Sequence, residues 1–212
     1  MTGRQVRIIL SRVVLAAACC GAPGCTGRQE SGGKERAHPM NEEAAAVTFK
    51  GGPLTLLGAD VKVGQAAPDF KALANDLSEA RLADFRGKVV LIASVPSLDT
   101  HVCDLETRRF NQEASSLGDD VRVLVISMDL PFAQARWCGA AGIKGVSTLS
   151  DHRDASFGLA YGVLIKEMRL LARSVWVVDR KGNVRYRQIV KEMSDQPDYD
   201  AALAAARKAA AD

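Results

Sequence analysis

The chain has 212 residues, with 28 Lys and Arg against 25 Asp and Glu, and 47% of its residues are hydrophobic. That balance suits an ordinary globular protein, of one domain with a tail or of two small domains. A net charge of +3 and an aromatic content of 5% exclude the basic, aromatic-interleaved surfaces that bind nucleic acid, and no internal repeat is present.

The N-terminus has the layout of an export signal. Arg4, Arg7 and Arg12 precede the apolar stretch Val13 to Ala18, a segment too short for a stable membrane span. Cys19, Cys20 and Cys25 lie at its end. Leu15-Ala16-Ala17-Ala18-Cys19 resembles a bacterial lipobox, which makes Cys19 the candidate for lipidation. Residues 1–25 are therefore expected to be a signal peptide, and the protein to be exported, periplasmic or lipid-anchored. Were the leader a misread start, it would be cytoplasmic. Residues 26–46 lack apolar periodicity and are rich in Gly, Ser, Glu, Lys and Arg, a composition expected of a disordered tether. The folded unit is expected to span residues 47–212.

Val47 to Leu56 alternates on both sides of Gly51-Gly52 and predicts a β-hairpin. Gln65 to Phe70 reads as an extended entry, and Leu82 to Lys88 as a turn. Val89 to Val95 is apolar on both faces, as in a central strand covered by helices. A helical pattern follows from Leu105 to Leu117. Val121 to Ser127 predicts a second central strand. Pro131 suits the first turn of a helix that carries Trp137 and Cys138 and ends near Gly139 or Gly142. A short strand, Val146 to Leu149, and a short helix, Ala155 to Tyr161, come next. Ser174 to Asp179 is a third central strand. Arg180 to Asn183 turns the chain into a partner strand, Val184 to Val190, and Asp198 to Ala210 closes as a helix. Such alternation implies an α/β layered sheet, and the order is that of the thioredoxin-like fold, here with an N-terminal hairpin.

Cys103 falls where the Val89 strand gives way to a helix. The first turn of a helix leaves N–H groups unpaired and favours negative charge. A thiolate is such a charge, so Cys103 is a candidate nucleophile. Thioredoxin-type reductases carry Cys-x-x-Cys at this junction. This chain reads Cys103-Asp104-Leu105-Glu106, which disfavours dithiol exchange. Read alone, Cys103 and Cys138 suit either a static bridge in an exported protein or a working redox pair. His38 and His152 lack ligand-spaced partners, and no metal or other cofactor is expected.

The segment from Pro96 to Cys103 has the form P-x-x-x-T-x-x-C, with Thr100 as its threonine. With Arg108-Arg109-Phe110-Asn111, the block Asp129 to Gly139 and the block Leu171 to Asp179, it resembles the thiol peroxidase subfamily, the atypical two-cysteine peroxiredoxins. The likeness covers about Val47 to Ala210. It implies that Cys103 attacks hydrogen peroxide or an alkyl hydroperoxide and becomes a sulfenic acid. Thr100 would hold thiolate and peroxide in line, Pro96 would shape and shield the loop, and Arg173 would aim its guanidinium at the sulfur. Cys138 would resolve the sulfenic acid as an intramolecular Cys103–Cys138 disulfide. The resemblance also implies a homodimer and reduction by thioredoxin. An exported enzyme would need an exported thioredoxin-like donor instead. The family usually carries proline where this chain has His101. That residue is read either as a tolerated solvent-facing substitution or as an imidazole acting on the thiol. The rival readings are a protein thiol–disulfide exchanger and a non-catalytic module with a static bridge.

Overall fold

The computed structural model describes residues 41–212. The proposed leader, with Cys19, Cys20 and Cys25, and the tether up to residue 40 lie outside the described residues.

The chain opens on a hairpin of β1 (Asn41–Phe49) and β2 (Gly52–Gly58), in which Phe49 pairs with Gly52. The two-residue loop is Lys50-Gly51, both at positive φ (51° and 78°), the primed turn that matches strand twist. The turn therefore lies one residue earlier than Gly51-Gly52. β1 also begins six residues before Val47. Asn41, Glu42 and Glu43 pair with Gly58, Leu57 and Leu56 across an irregularity that ends at Val47. The composition of 41–46 gives no sign of this, because the pairing is made by backbone.

β3 (Lys71–Leu73) and β4 (Glu79–Arg81) form a second, very short hairpin, between the extended entry ending at Phe70 and the turn from Leu82, where the sequence reading places no element. Three-residue strands leave no alternation to detect. The centre of the molecule is β5 (Val89–Ser94), buried at all six positions, as its double-faced apolar run predicts. It leads into α1 (His101–Ala114), then β6 (Val121–Ser127), α2 (Pro131–Ala141), β7 (Ser147–Ser150) and α3 (Ser156–Ala160). After β8 (Leu164–Ile165) come β9 (Ser174–Val178), β10 (Val184–Ile189) and α4 (Tyr199–Ala211).

Seven strands make the main sheet in the order β10-β9-β5-β6-β7-β3-β4, and β1-β2-β8 form a smaller one. β5, β6 and β7 run parallel, whereas β9 lies antiparallel to β5. This is the mixed, helix-flanked sheet of the thioredoxin-like class. Alternate β5 residues enter different cores, as the period of two demands. Val90 and Ile92 pack with Phe157, Tyr161 and Trp176. Val89, Leu91 and Ala93 pack with Phe110, Leu203 and Ala206. α1 and α4 therefore cover one face, with Trp137 of α2 packed against the same core. The first core takes in α3 and the small sheet.

Candidate active site

The site grows from the exit of β5. Ser94, its last residue, is fully buried, and its Oγ lies 2.7 Å from the Ala172 carbonyl and 2.6 Å from Ser174 Oγ. Those two residues bracket Arg173. One serine thus fixes the side of the arginine to the strand that launches the cysteine loop. Beyond it, Pro96 is buried, and Thr100 is the exposed N-cap of α1.

Cys103 is the third residue of α1, so the helix begins four residues before the Leu105 start suggested by periodicity. Its side chain is completely buried. Thr100 does not use its hydroxyl to cap the helix. Thr100 Oγ1 lies 2.8 Å from Cys103 Sγ and 3.0 Å from the Ser97 carbonyl. From the other side, Arg173 Nη2 donates to Cys103 Sγ at 3.4 Å. The sulfur thus meets a hydroxyl and a cation, the donor set that a thiolate accepts from.

Arg173 is itself 1% exposed and held at three points. Its Nε and Nη2 donate to the Met193 carbonyl at 3.3 and 3.1 Å, and Nη1 pairs with Glu106 Oε2. Burial penalises the guanidinium charge, but Glu106 and Cys103 more than offset this and raise its pKa. Glu106 is fully buried; burial pushes its carboxyl up to about 7, with Arg173 pulling the other way. Its Oε1 has no hydrogen-bond partner.

Glu106 is a functional neighbour that the motif reading misses. The signal was present: positions i and i+3 share a helix face, so a carboxylate stands where a Cys-x-x-Cys enzyme keeps its second thiol. Asp129 is a second omission. Its carboxylate accepts from Ser97 Oγ (2.7 Å), Leu98 N (2.8 Å) and Ser127 Oγ (2.8 Å), tying the cysteine loop to the end of β6. Nothing local in the sequence marks that long-range strut. His101, the first residue of α1, is exposed.

Cys138 is half-buried on α2, and both cysteines are free thiols. Cys138 Sγ sits 3.3 Å from Thr148 Oγ1 on β7. Arg173, by contrast, directly precedes β9, and β9, β5, β6 and β7 are successive strands. With strands about 4.8 Å apart, the backbones that carry Arg173 and Thr148 are separated by roughly 14 Å of sheet. The structure brings Thr100 and Arg173 to Cys103 and leaves Cys138 apart. A surface cleft of about 340 Å³, lined by Phe85, Arg86, Lys88 and Lys181 among others, lies at the start of β5, the end opposite Cys103.

The chain is similar to known proteins over most of its length. The Redoxin family profile matches residues 62–203. The chain is similar to a thiol peroxidase of Bacillus subtilis (strain 168), 61% identical over 163 residues, which are 77% of this chain and 97% of that protein. A thiol peroxidase of Staphylococcus aureus (strain MRSA252) is 57% identical over 159 residues, 75% of this chain and 96% of that one. Among solved structures, a peroxiredoxin-like protein from Aquifex aeolicus superposes with a TM-score of 0.73 at 39% identity. It covers 82% of this chain and 99% of its own.

Proposed function

The chain belongs to the redoxin family and, within it, to the thiol peroxidases of the peroxiredoxin group, and from that premise we propose how this enzyme works. It reduces hydrogen peroxide and small alkyl hydroperoxides through Cys103. The observation that carries the reading is the Cys103 sulfur set between Thr100 Oγ1 and Arg173 Nη2.

In the first step the Cys103 thiolate attacks one peroxide oxygen. The S–O bond forms, the O–O bond breaks, and water or an alcohol leaves with the proton, giving a sulfenic acid. Charge shifts from sulfur to the leaving oxygen. Donors already fixed beside the sulfur can follow that charge without reorganising. Thr100 Oγ1 can bridge sulfur and peroxide, and Pro96 closes the loop behind them.

In the second step the Cys138 sulfur attacks the Cys103 sulfenic sulfur. The S–S bond forms, the S–O bond breaks, and hydroxide leaves with the Cys138 proton as water. Thioredoxin or an exported thioredoxin-like protein then reduces the disulfide by thiol exchange. The enzyme works as a homodimer. Leu130 and Phe132, 53% and 66% exposed at the start of α2, are apolar surface that a second copy would cover. The leader exports the chain, with Cys19 as the lipid attachment, and intact mass of the mature N-terminus tests this.

Peroxide consumption coupled to NADPH oxidation through candidate reductants tests the cycle. Cys103→Ser should abolish turnover, whereas Cys138→Ser should complete one sulfenic acid per chain and stall. Full turnover by Cys103→Ser would overturn the assignment.

A further inference from the structure

The helices bearing the two cysteines are fastened to each other by the residues beside those cysteines. Asp104 follows Cys103, and Trp137 precedes Cys138. Trp137 Nε1 donates to Asp104 Oδ1 at 3.1 Å. Arg108 Nε donates to both Asp104 oxygens, at 3.0 and 2.9 Å, and its guanidinium lies 5.8 Å from the Trp137 ring centre. Arg108 Nη1 also donates to the Ala141 carbonyl at 3.2 Å, at the far end of α2. One carboxylate and one guanidinium thus join the first turn of α1 to the last turns of α2.

A disulfide needs its two Cα atoms within about 7 Å, yet Cys103 and Cys138 have their contacts on opposite flanks of the parallel core. One or both helices must open locally before the sulfurs meet. Consecutive Cα atoms are ~3.8 Å apart, so a cysteine cannot travel that far while its neighbour stays in place. Trp137 must therefore move with Cys138, and Asp104 with Cys103, so the Trp137–Asp104 bond holds both cysteines in their closed positions.

We propose that the Asp104–Arg108–Trp137 cluster is a latch that sets the rate of the resolving step, and so decides how long the sulfenic acid of Cys103 stays exposed to further oxidation. This rests on the reading of Cys138 as the resolving cysteine. While the latch is closed, the sulfenic sulfur can attack a second peroxide molecule. That step forms a second S–O bond, breaks O–O, releases water or alcohol, and leaves a sulfinic acid that thiols do not reduce. A weaker latch diverts the intermediate to the disulfide before this happens. Asp104, Arg108 and Trp137 act through the two helices they join and are positioning residues.

Trp137→Phe removes the donor and keeps an aromatic ring. Asp104→Ala removes the acceptor for both Trp137 and Arg108. Purified full-length protein, reduced and mixed with hydrogen peroxide, is acid-quenched over time and read by intact mass. We expect Trp137→Phe to form the Cys103–Cys138 disulfide roughly 10- to 100-fold faster, the size of one charge-assisted hydrogen bond. The rate of the first oxidation should be unchanged, and the sulfinic fraction under excess peroxide should fall in step. Asp104→Ala also removes an acidic group from the first turn of α1, so the double variant discriminates. Effects smaller than additive support the latch, and independent effects overturn it. An unchanged disulfide rate and sulfinic fraction in Trp137→Phe would overturn the latch while leaving Cys138 as resolver. Absence of any Cys103–Cys138 disulfide in the unaltered protein would overturn both.

Discussion

Thr100 shows what single atoms do at this site. Its Oγ1 spends itself on Cys103 Sγ and the Ser97 carbonyl rather than on the helix N-terminus. Thr100→Val keeps the shape and removes the hydroxyl. We expect the second-order rate constant with hydrogen peroxide to fall by roughly 10²- to 10³-fold, the effect of deleting one preorganised donor. Thr100→Ser should recover most of it, and stopped-flow measurement of the first oxidation reads both. Cys103, Thr100 and Arg173 were legible in the sequence because a spaced motif and a distant block carry them. Glu106 and Asp129 were not. Their roles depend on Arg173 being 67 residues from Glu106, and on Asp129 reaching back to Ser97. Spacing along the chain does not state such partnerships.

At the scale of elements, the periodicities located the long strands and helices well. β6 lies at Val121–Ser127, as its apolar run indicates. The helix ends were less legible. α1 starts at His101, and its first two turns carry Cys103, Glu106 and Thr107 inward, small or polar residues that blur the pattern. α2 ends at Gly142, whose backbone is left-handed at φ 66° and whose N–H donates to the Cys138 carbonyl. A Cβ there would meet nothing within 4 Å, so Gly142→Ala isolates the backbone term. It should destabilise the protein by about 1 kcal/mol in urea denaturation. Because Cys138 lies in the turn this cap closes, hydrogen exchange should quicken at the end of α2 and not at its start.

For the whole molecule, three carboxyl groups shape stability against pH. Glu192 accepts from Thr48, Lys50, Gly51 and Ser194, and the Ser194 and Thr48 hydroxyls lead in holding its pKa down to about 2. Its contribution is present above its ordinary value of 4.5 and is lost as pH falls toward 2. Burial raises Asp151 from 3.8 to about 6, against donation from Gly158 and Phe157, and raises Glu106 from 4.5 to about 7. Their contributions are full at low pH and are lost as pH climbs through those values. The urea midpoint should therefore rise from pH 2 to about 4 and decline between about pH 4 and 7. The Asp151 part of that decline is roughly 3 kcal/mol. Glu106→Gln should lower stability but flatten the upper slope; an unchanged slope would refute the assignment to Glu106. None of this was legible beforehand, because burial of a carboxyl is a property of the folded whole.

The anchoring of Arg173 has a consequence for inheritance. Of the two groups that take its three anchoring bonds, the Glu106 carboxylate can be deleted by one codon change. The other is the main-chain oxygen of Met193, and every amino acid supplies that oxygen. Its place is set by chain path: Met193 N donates to the Thr48 carbonyl, and Thr48 N to the Lys191 carbonyl, so β1 clamps the segment. Mutational drift at position 193 therefore cannot disarm the arginine directly. Rerouting the backbone can, through an insertion, a deletion or a proline at a donor position, and such events should be purged here even where side chains vary freely.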